Sequence, residues 1–309
     1  MVVPQRNRER YLSAAQKISP GTWWMIAAAS SFVLMAASAK MMPAVSSLEM
    51  VFGRSVLSVG ITAWMMRIAL RKATARGETV SFRPQNSWFL FLRAVFGLAG
   101  LICYLEAIER IPLGTAVTIY NLTPVFAALV GLLFLGEKIS KRQAISILIG
   151  IGGVALIKGF SADVTWPGVS FALGTAFFSA IAYSFVRALK STEHSLTIVM
   201  AFPLVSIPLT LLFGGWNFRM PVGMEWFWIV ALGVATQSGQ VCLTHALGYH
   251  TASRATQIGF IGVVFAMLLG IALGDGIPGA AQIGGAGLVF ASLLLGQQVV
   301  RKRTKPATE

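Results

Sequence analysis

The chain has 309 residues, 56% of them hydrophobic and only 12% charged, with 25 Lys and Arg against 11 Asp and Glu for a net charge of +14. A soluble domain cannot hide so much apolar surface, because its charged fraction is ordinarily about a quarter. The apolar runs are continuous rather than alternating, which excludes a membrane β-barrel and leaves an all-α integral membrane protein.

In chain order, ten membrane-spanning helices are predicted at 22–39, 46–66, 88–108, 113–135, 144–157, 168–189, 196–213, 226–247, 255–273 and 283–298. The first ends at Lys40. Its Ala37-Ser38-Ala39 run resembles a signal-peptidase site, but cleavage there would remove a span that the rest of the pattern needs. The second carries Arg54 too deep for an easy escape to water, with Glu49 five positions earlier. Residues 67–87 then form the longest polar connection, a short basic loop. The third opens with Arg93 near its start, where an interfacial role is expected, and holds Tyr104 and Glu106. In the fourth, Tyr120 and Asn121 stand just before Thr123-Pro124, where proline removes a backbone donor and frees a carbonyl. The sixth carries Tyr183 and Arg187, the eighth Gln237, Gln240 and His245, and the ninth begins near Gln257.

The basic residues orient these spans. With both termini cytoplasmic, 19 Lys and Arg fall on the cytoplasmic side, four (Lys40, Arg110, Lys158, Arg219) on the other, and two, Arg54 and Arg93, within spans. That asymmetry follows the positive-inside rule, so the charge reads as topology signal and anionic-lipid contact rather than nucleic-acid binding. Two cysteines inside spans give no disulfide framework.

The segment 93–134 recurs 139 positions later as 232–273. Eleven of 42 aligned positions are identical, among them Gly100/Gly239, Cys103/Cys242, Ala116/Ala255, Phe126/Phe265 and Gly131/Gly270. Spans three and four therefore match eight and nine, and the simplest plan is two five-helix repeats. An odd number per repeat inserts the second upside down relative to the first. The divisions expected are a cytoplasmic tail at 1–21, a first repeat at 22–158, a second at 166–298, and a basic tail at 299–309. Glycines at Gly97, Gly100, Gly131, Gly150, Gly152, Gly153, Gly270, Gly284, Gly285 and Gly287 read as close helix contacts.

At Pro124-Val125-Phe126-Ala127-Ala128 and Gly136-Glu137-Lys138 the chain resembles the EamA-type branch of the drug/metabolite transporter superfamily. The second copy carries the corresponding Val264-Phe265-Ala266 and, one residue out of register, Gly274-Asp275. Lys40, Glu49-x-x-Phe52-x-Arg54, Arg187 and Glu193 are similar to the subgroup with S-adenosylmethionine-type metabolite carriers. The resemblance implies ten transmembrane helices in two inverted five-helix repeats, a central cavity, and alternating access without ATP hydrolysis. It implies no one substrate.

Ionisable groups at membrane depth ordinarily face a cavity or a partner. Arg54, as a guanidinium with fixed donors, suits a substrate carboxylate or phosphate, with pairing to Glu49 as the structural alternative. Tyr104, Tyr120, Asn121, Tyr183, Gln240 and Gln257 are candidate hydrogen-bonding groups in a substrate cavity, with helix-to-helix bonding as their alternative role. Glu106 and His245 occupy equivalent places in the two copies and are candidates for coupling, imidazole ordinarily titrating near neutral pH. Lys40, Glu49 and Arg187 are charged span-end candidates, with snorkelling to headgroups as the plainer role. Glu137 and Asp275 are expected to pair locally and fix the hinge after the spans they follow.

No Gly-rich loop ends in Lys-Ser or Lys-Thr, and the three histidines and two cysteines make no metal site, so no enzyme and no cofactor is expected. The expected function is secondary transport of a small polar or amphipathic metabolite, export or uptake, across the inner membrane. A membrane-embedded enzyme acting on lipid and a nontransporting scaffold are the alternatives. Expected partners are a small-molecule substrate and membrane lipid, with a homodimer allowed.

Overall fold

The computed structural model describes residues 20–135, 140–189, 191–214, 218–249 and 258–297, and among them the chain is all helical. The helices are α1 (Pro20–Lys40), α2 (Ser47–Ala75), α3 (Ser87–Arg110), α4 (Leu113–Tyr120), α5 (Thr123–Leu135), α6 (Lys141–Phe160), α7 (Trp166–Leu189), α8 (Ser195–Gly214), α9 (Glu225–Tyr249), α10 (Ile261–Ala272) and α11 (Ala280–Gln297). Among the described residues, seven stretches are long and apolar enough to cross a membrane: α1, α3, α4 with most of α5, α6, α7, α8 and α9. α2 is longer still, but Arg54, Ser55, Ser58 and Thr62 dilute its hydropathy, while α10 and α11 are apolar and shorter. The chain is a multi-pass membrane protein.

Local chemistry sets the helix starts. Ser46 and Glu49 close a capping box on α2, Asn86 accepts from Phe89 N–H at the head of α3, and Ser140 and Gln143 repeat the box on α6. Three expectations need correction. α2 continues through Arg67, Arg71 and Lys72 to Ala75, so half of the basic 67–87 connection is helix. α6 runs from Lys141 to Phe160 and is not short. The predicted fourth span is broken in two at Asn121-Leu122, because Pro124 cannot donate to the Tyr120 carbonyl. Gln257, Arg254, Glu137 and the terminal tails lie outside the described residues.

The extensive helix pairs join residues 20–160 to residues 166–297: α1 with α9, α3 with α7, α6 with α11, and α2 with α8. A single large core cluster accordingly draws on both parts, from Val33, Leu105, Ile119 and Ile157 to Leu232, Val263 and Val289. Glycines permit the closest approaches. A Cβ on Gly153 would lie 2.9 Å from the Gly285 carbonyl oxygen, and one on Gly285 would lie 2.6 Å from that of Gly153. Two turns away on the same helix pair, Ser146 and Ser292 donate to each other's carbonyls at 2.7 and 2.8 Å. Gly152 and Gly287, expected at contacts, instead have nothing within 4 Å.

The exterior is apolar, as a lipid solvent demands. Leu148, Ile151, Leu204, Leu212 and Leu268 are exposed, and Trp23, Trp88, Trp166 and Trp226 stand exposed at the starts of α1, α3, α7 and α9. Tryptophans at helix ends suit the headgroup level, where an amphipathic ring meets both phases.

Candidate substrate-binding site

Two arginines and one phenylalanine form the least self-sufficient place in the fold. The Arg54 guanidinium of α2 lies 4.9 Å from the centroid of the Phe202 ring on α8, and the Arg93 guanidinium of α3 lies 5.2 Å from the same centroid. Arg54 and Phe202 are buried, at 6% and 8% exposure. Arg54 Nε, Arg93 Nε and Arg93 Nη1 are shut off from solvent with no hydrogen-bond partner among the described residues. Withdrawing an ion from water costs several kcal/mol even after relaxation. Stacking on a ring returns only about 2 kcal/mol when desolvated. The ring alone does not balance two cations, which also repel each other.

No carboxylate among the described residues offsets the deficit. Glu49 accepts from the backbone N–H groups of Ser46 and Arg219 rather than reaching Arg54. Glu106 takes Ser47 Oγ and Arg110, and Glu109 also faces Arg110. Glu193, buried, accepts from Gln85 and Asn86 N–H at 2.7 Å each, while Asp163, Glu225 and Asp275 are bound elsewhere.

The two arginines come from opposite ends of the bundle. Ser47, the first residue of α2, bonds to Glu106 in the last turn of α3, so these helices run antiparallel. Arg54 lies in the second turn of α2 and Arg93 in the second turn of α3. Phe202 therefore receives one cation from each direction. Gly97 makes room for the ring, since a Cβ there would lie 3.1 Å from it. Pro203 and Pro208 sit inside α8 and leave the carbonyls of Val199 and Leu204 without their helical donors.

The tyrosines are gathered close by. Tyr120 and Tyr183 share a 2.7 Å hydroxyl–hydroxyl hydrogen bond, and the buried Tyr104 ring packs 5.9 Å from Tyr120. Tyr183 lies on α7, which packs against the α3 that carries Arg93. Asn121, by contrast, turns back on its own helix and donates to the Val117 carbonyl at 2.8 Å, and Thr123 Oγ1 donates to the Tyr120 carbonyl at 2.6 Å. The carbonyl that proline frees is thus taken by a neighbouring hydroxyl. A cavity of about 180 Å³ is bounded by Met65, Leu196, Val199, Gln237, Gln240 and His245, among others, and Val199 is one turn along α8 from Phe202. Gln237 donates to Thr62 at 3.2 Å, and His245 stacks on Trp24 at 4.9 Å.

The opposite end of the bundle is tied shut. Lys40 at the end of α1 forms an ion pair with Asp275, whose other oxygen accepts from Leu113 N–H at the start of α4, at 2.8 Å. Asp275 is flanked by Gly274 (φ 92°) and Gly276 (φ 79°), left-handed conformations that let the chain turn the carboxylate inward. Asp275 does not serve a local hinge alone, as expected, but ties the two parts of the chain together. Gln282 on α11 likewise donates to Asp163 at 2.8 Å.

Of the residues singled out in the sequence, Tyr104, Tyr120 and Tyr183 come together, and Arg54 meets the Phe202 ring. Gln240 and His245 border the cavity, and Lys40, Glu49 and Glu106 belong to the tied end. Arg187 lies on α7, its side chain outside the described residues, as is the whole of Gln257. Sequence reasoning missed Arg93 and Phe202. The spacing Arg93–Gly97 places a cation beside a gap one turn away, and Phe202-Pro203 marks a loosened turn, but neither is informative until α3 and α8 are brought together.

The family model described as the EamA-like transporter family matches twice, over residues 19–159 and 166–296. The chain is 31% identical to the pseudopaline exporter CntI of Pseudomonas aeruginosa over 253 residues, covering 80% of this chain and 84% of that one. It is 29% identical to solute carrier family 35 member G1 of Mus musculus over 222 residues, 66% and 60% of the two chains. It is 24% identical to a riboflavin transporter of Vibrio cholerae over 288 residues, 91% and 94% of the two. One crystal structure of a protein 19% identical in sequence superposes with a TM-score of 0.60 over 94% of this chain and all of that one, a likeness of fold.

Proposed function

The chain belongs to the EamA-like transporter family, and from that premise we propose that it is a secondary transporter of a small metabolite working by alternating access across the inner membrane. Its relatives are transporters, not enzymes. The proposed architecture is ten spans in two inverted five-helix repeats, α4 and α5 together making the fourth span and α10 the described part of the ninth. Both termini are placed in the cytoplasm on the asymmetry of basic residues.

The packing supports the duplication. Gly100 abuts Phe178 and Ser179 where α3 meets α7, and its repeat mate Gly239 abuts Phe32 where α9 meets α1. Ser146 and Gly285 stand 139 positions apart, as do Gly153 and Ser292, so the serine contact and the glycine contact between α6 and α11 are one contact made twice. The fourth span breaks at Asn121, and its mate Phe260 is again a turn. Broken helices at equivalent depth are a recurrent feature around transporter binding sites.

The observation that carries the functional reading is the convergence of Arg54 and Arg93 on Phe202 between the two parts, one end tied by Lys40–Asp275 and a cavity toward the other. Substrate binds there, and opening the tied end while closing the cavity end passes it across. Purified protein in proteoliposomes, screened for solute counterflow with and without a proton gradient, tests this. Absence of counterflow for every solute offered, from well-inserted protein, would overturn it. For coupling, Glu106 is held by Ser47 and Arg110, which leaves His245, at the cavity, as the better candidate of the two.

A further inference from the structure

We propose that the substrate is a small organic dianion, held between Arg54 and Arg93 over the Phe202 ring. The inference rests on the transport reading and narrows it to a substrate class. A buried arginine and a half-buried one share one ring, and none of the eight acidic residues described pairs with either. Three of their N–H-bearing nitrogens are buried without an acceptor. A neutral or cationic solute would leave both charges unbalanced at depth, which is the costly arrangement. A monoanion would satisfy one. An anion with two acidic oxygen groups, a dicarboxylate or a phosphate monoester, answers both, and guanidinium forks suit either geometry.

The direction of approach gives the pair a second role. Arg54 reaches Phe202 from the end tied by Lys40 and Asp275, and Arg93 reaches it from the other. As one mouth opens, the arginine on that side is the one that exchanges water for the anion, while its partner keeps hold. Phe202, between Gly97 and the proline-loosened turn of α8, carries both stacked cations through the change.

The experiment is ligand-dependent thermal stabilisation of the purified full-length protein, followed by counterflow in proteoliposomes. The probes are malonate, succinate, glutarate and glycerol 3-phosphate, with butyrate, succinamide and choline as monoanionic, neutral and cationic controls. At least one dianion should raise Tm in a saturable manner and exchange across the bilayer, and the controls should bind at least tenfold more weakly. The carboxylate and phosphate arms separate the two kinds of dianion. Arg54→Gln and Arg93→Gln should each weaken binding of the responding dianion by at least tenfold. Arg54→Lys and Arg93→Lys, which keep the charge, guard against misfolding and should recover part of it.

Failure of every dianion to bind wild-type protein overturns the proposal. So does unchanged binding by both glutamine variants, or preferred exchange of choline or succinamide. In that last case counterflow persists, so the transport reading survives while the substrate class falls. Binding of a dianion with no exchange of any solute would do the reverse.

Discussion

Among the described residues, no carboxylate balances Arg54 or Arg93. If the ring they share is their main support, removing it should be felt by both. In a double-mutant cycle, Arg54→Gln and Phe202→Leu should show a coupling of about 1–2 kcal/mol, the scale of a desolvated cation–π contact. Denaturation of the purified variants in mild detergent measures it, and additive effects would separate the two side chains. His245 offers a second test at this scale. Because it is an ionisable side chain bordering the cavity, His245→Gln should flatten the pH profile of transport more than it lowers the maximal rate, and a profile of unchanged shape would remove it from coupling. Half of this site could be read in the sequence. Arg54 stands out as a charge at depth, and the tyrosines as polar groups in apolar runs. Arg93 sits near a helix start, where snorkelling is the ordinary fate of an arginine. Only tertiary packing, which brings Phe202 under it, turns it inward.

Among the helices, α6 and α11 make the most exacting contact, backbone against backbone at Gly153 and Gly285. Gly285→Val would drive a branched side chain into the Gly153 carbonyl and Ile157, and should destabilise by about 1–3 kcal/mol or more. Gly152→Ala, which faces open space, should be close to neutral in the same thermal assay. Equal sensitivity at the two positions would contradict the packing described. Helix existence was legible from apolar runs, and so was the duplication, because Gly100 and Gly239 are retained where close approach needs them. Helix edges were less so. Hydropathy ends the second span just before Arg67, whereas α2 carries Arg67, Arg71 and Lys72 on through further turns to Ala75. The carbonyl freed by Pro124 was visible, but not the break of the span at Asn121-Leu122, nor that Thr123 would take that carbonyl.

Taken whole, the molecule is tied at one end, and that end must part if substrate is to leave through it. With Cys103 and Cys242 replaced by serine, a short bismaleimide bridging Lys40→Cys and Asp275→Cys should stop transport, and either single cysteine treated alike should not. Continued transport in the bridged protein would make the Lys40–Asp275 pair a static strut. Reporters fused after Arg76 and Lys305 should indicate cytoplasm, and one after Asp163 the opposite side; any reversal would sink the proposed orientation. The interlocking of the two parts has a further consequence, for biogenesis. The extensive helix pairs all span the divide between residues 20–160 and 166–297. A nascent chain that has delivered α1 through α6 to the bilayer is inserted but almost without tertiary partners, since α1 waits for α9 and α3 for α7. Assembly is therefore postponed until synthesis is nearly complete, and a ribosome stalled midway leaves Arg54 and Arg93 without the Phe202 ring that the later part of the chain supplies.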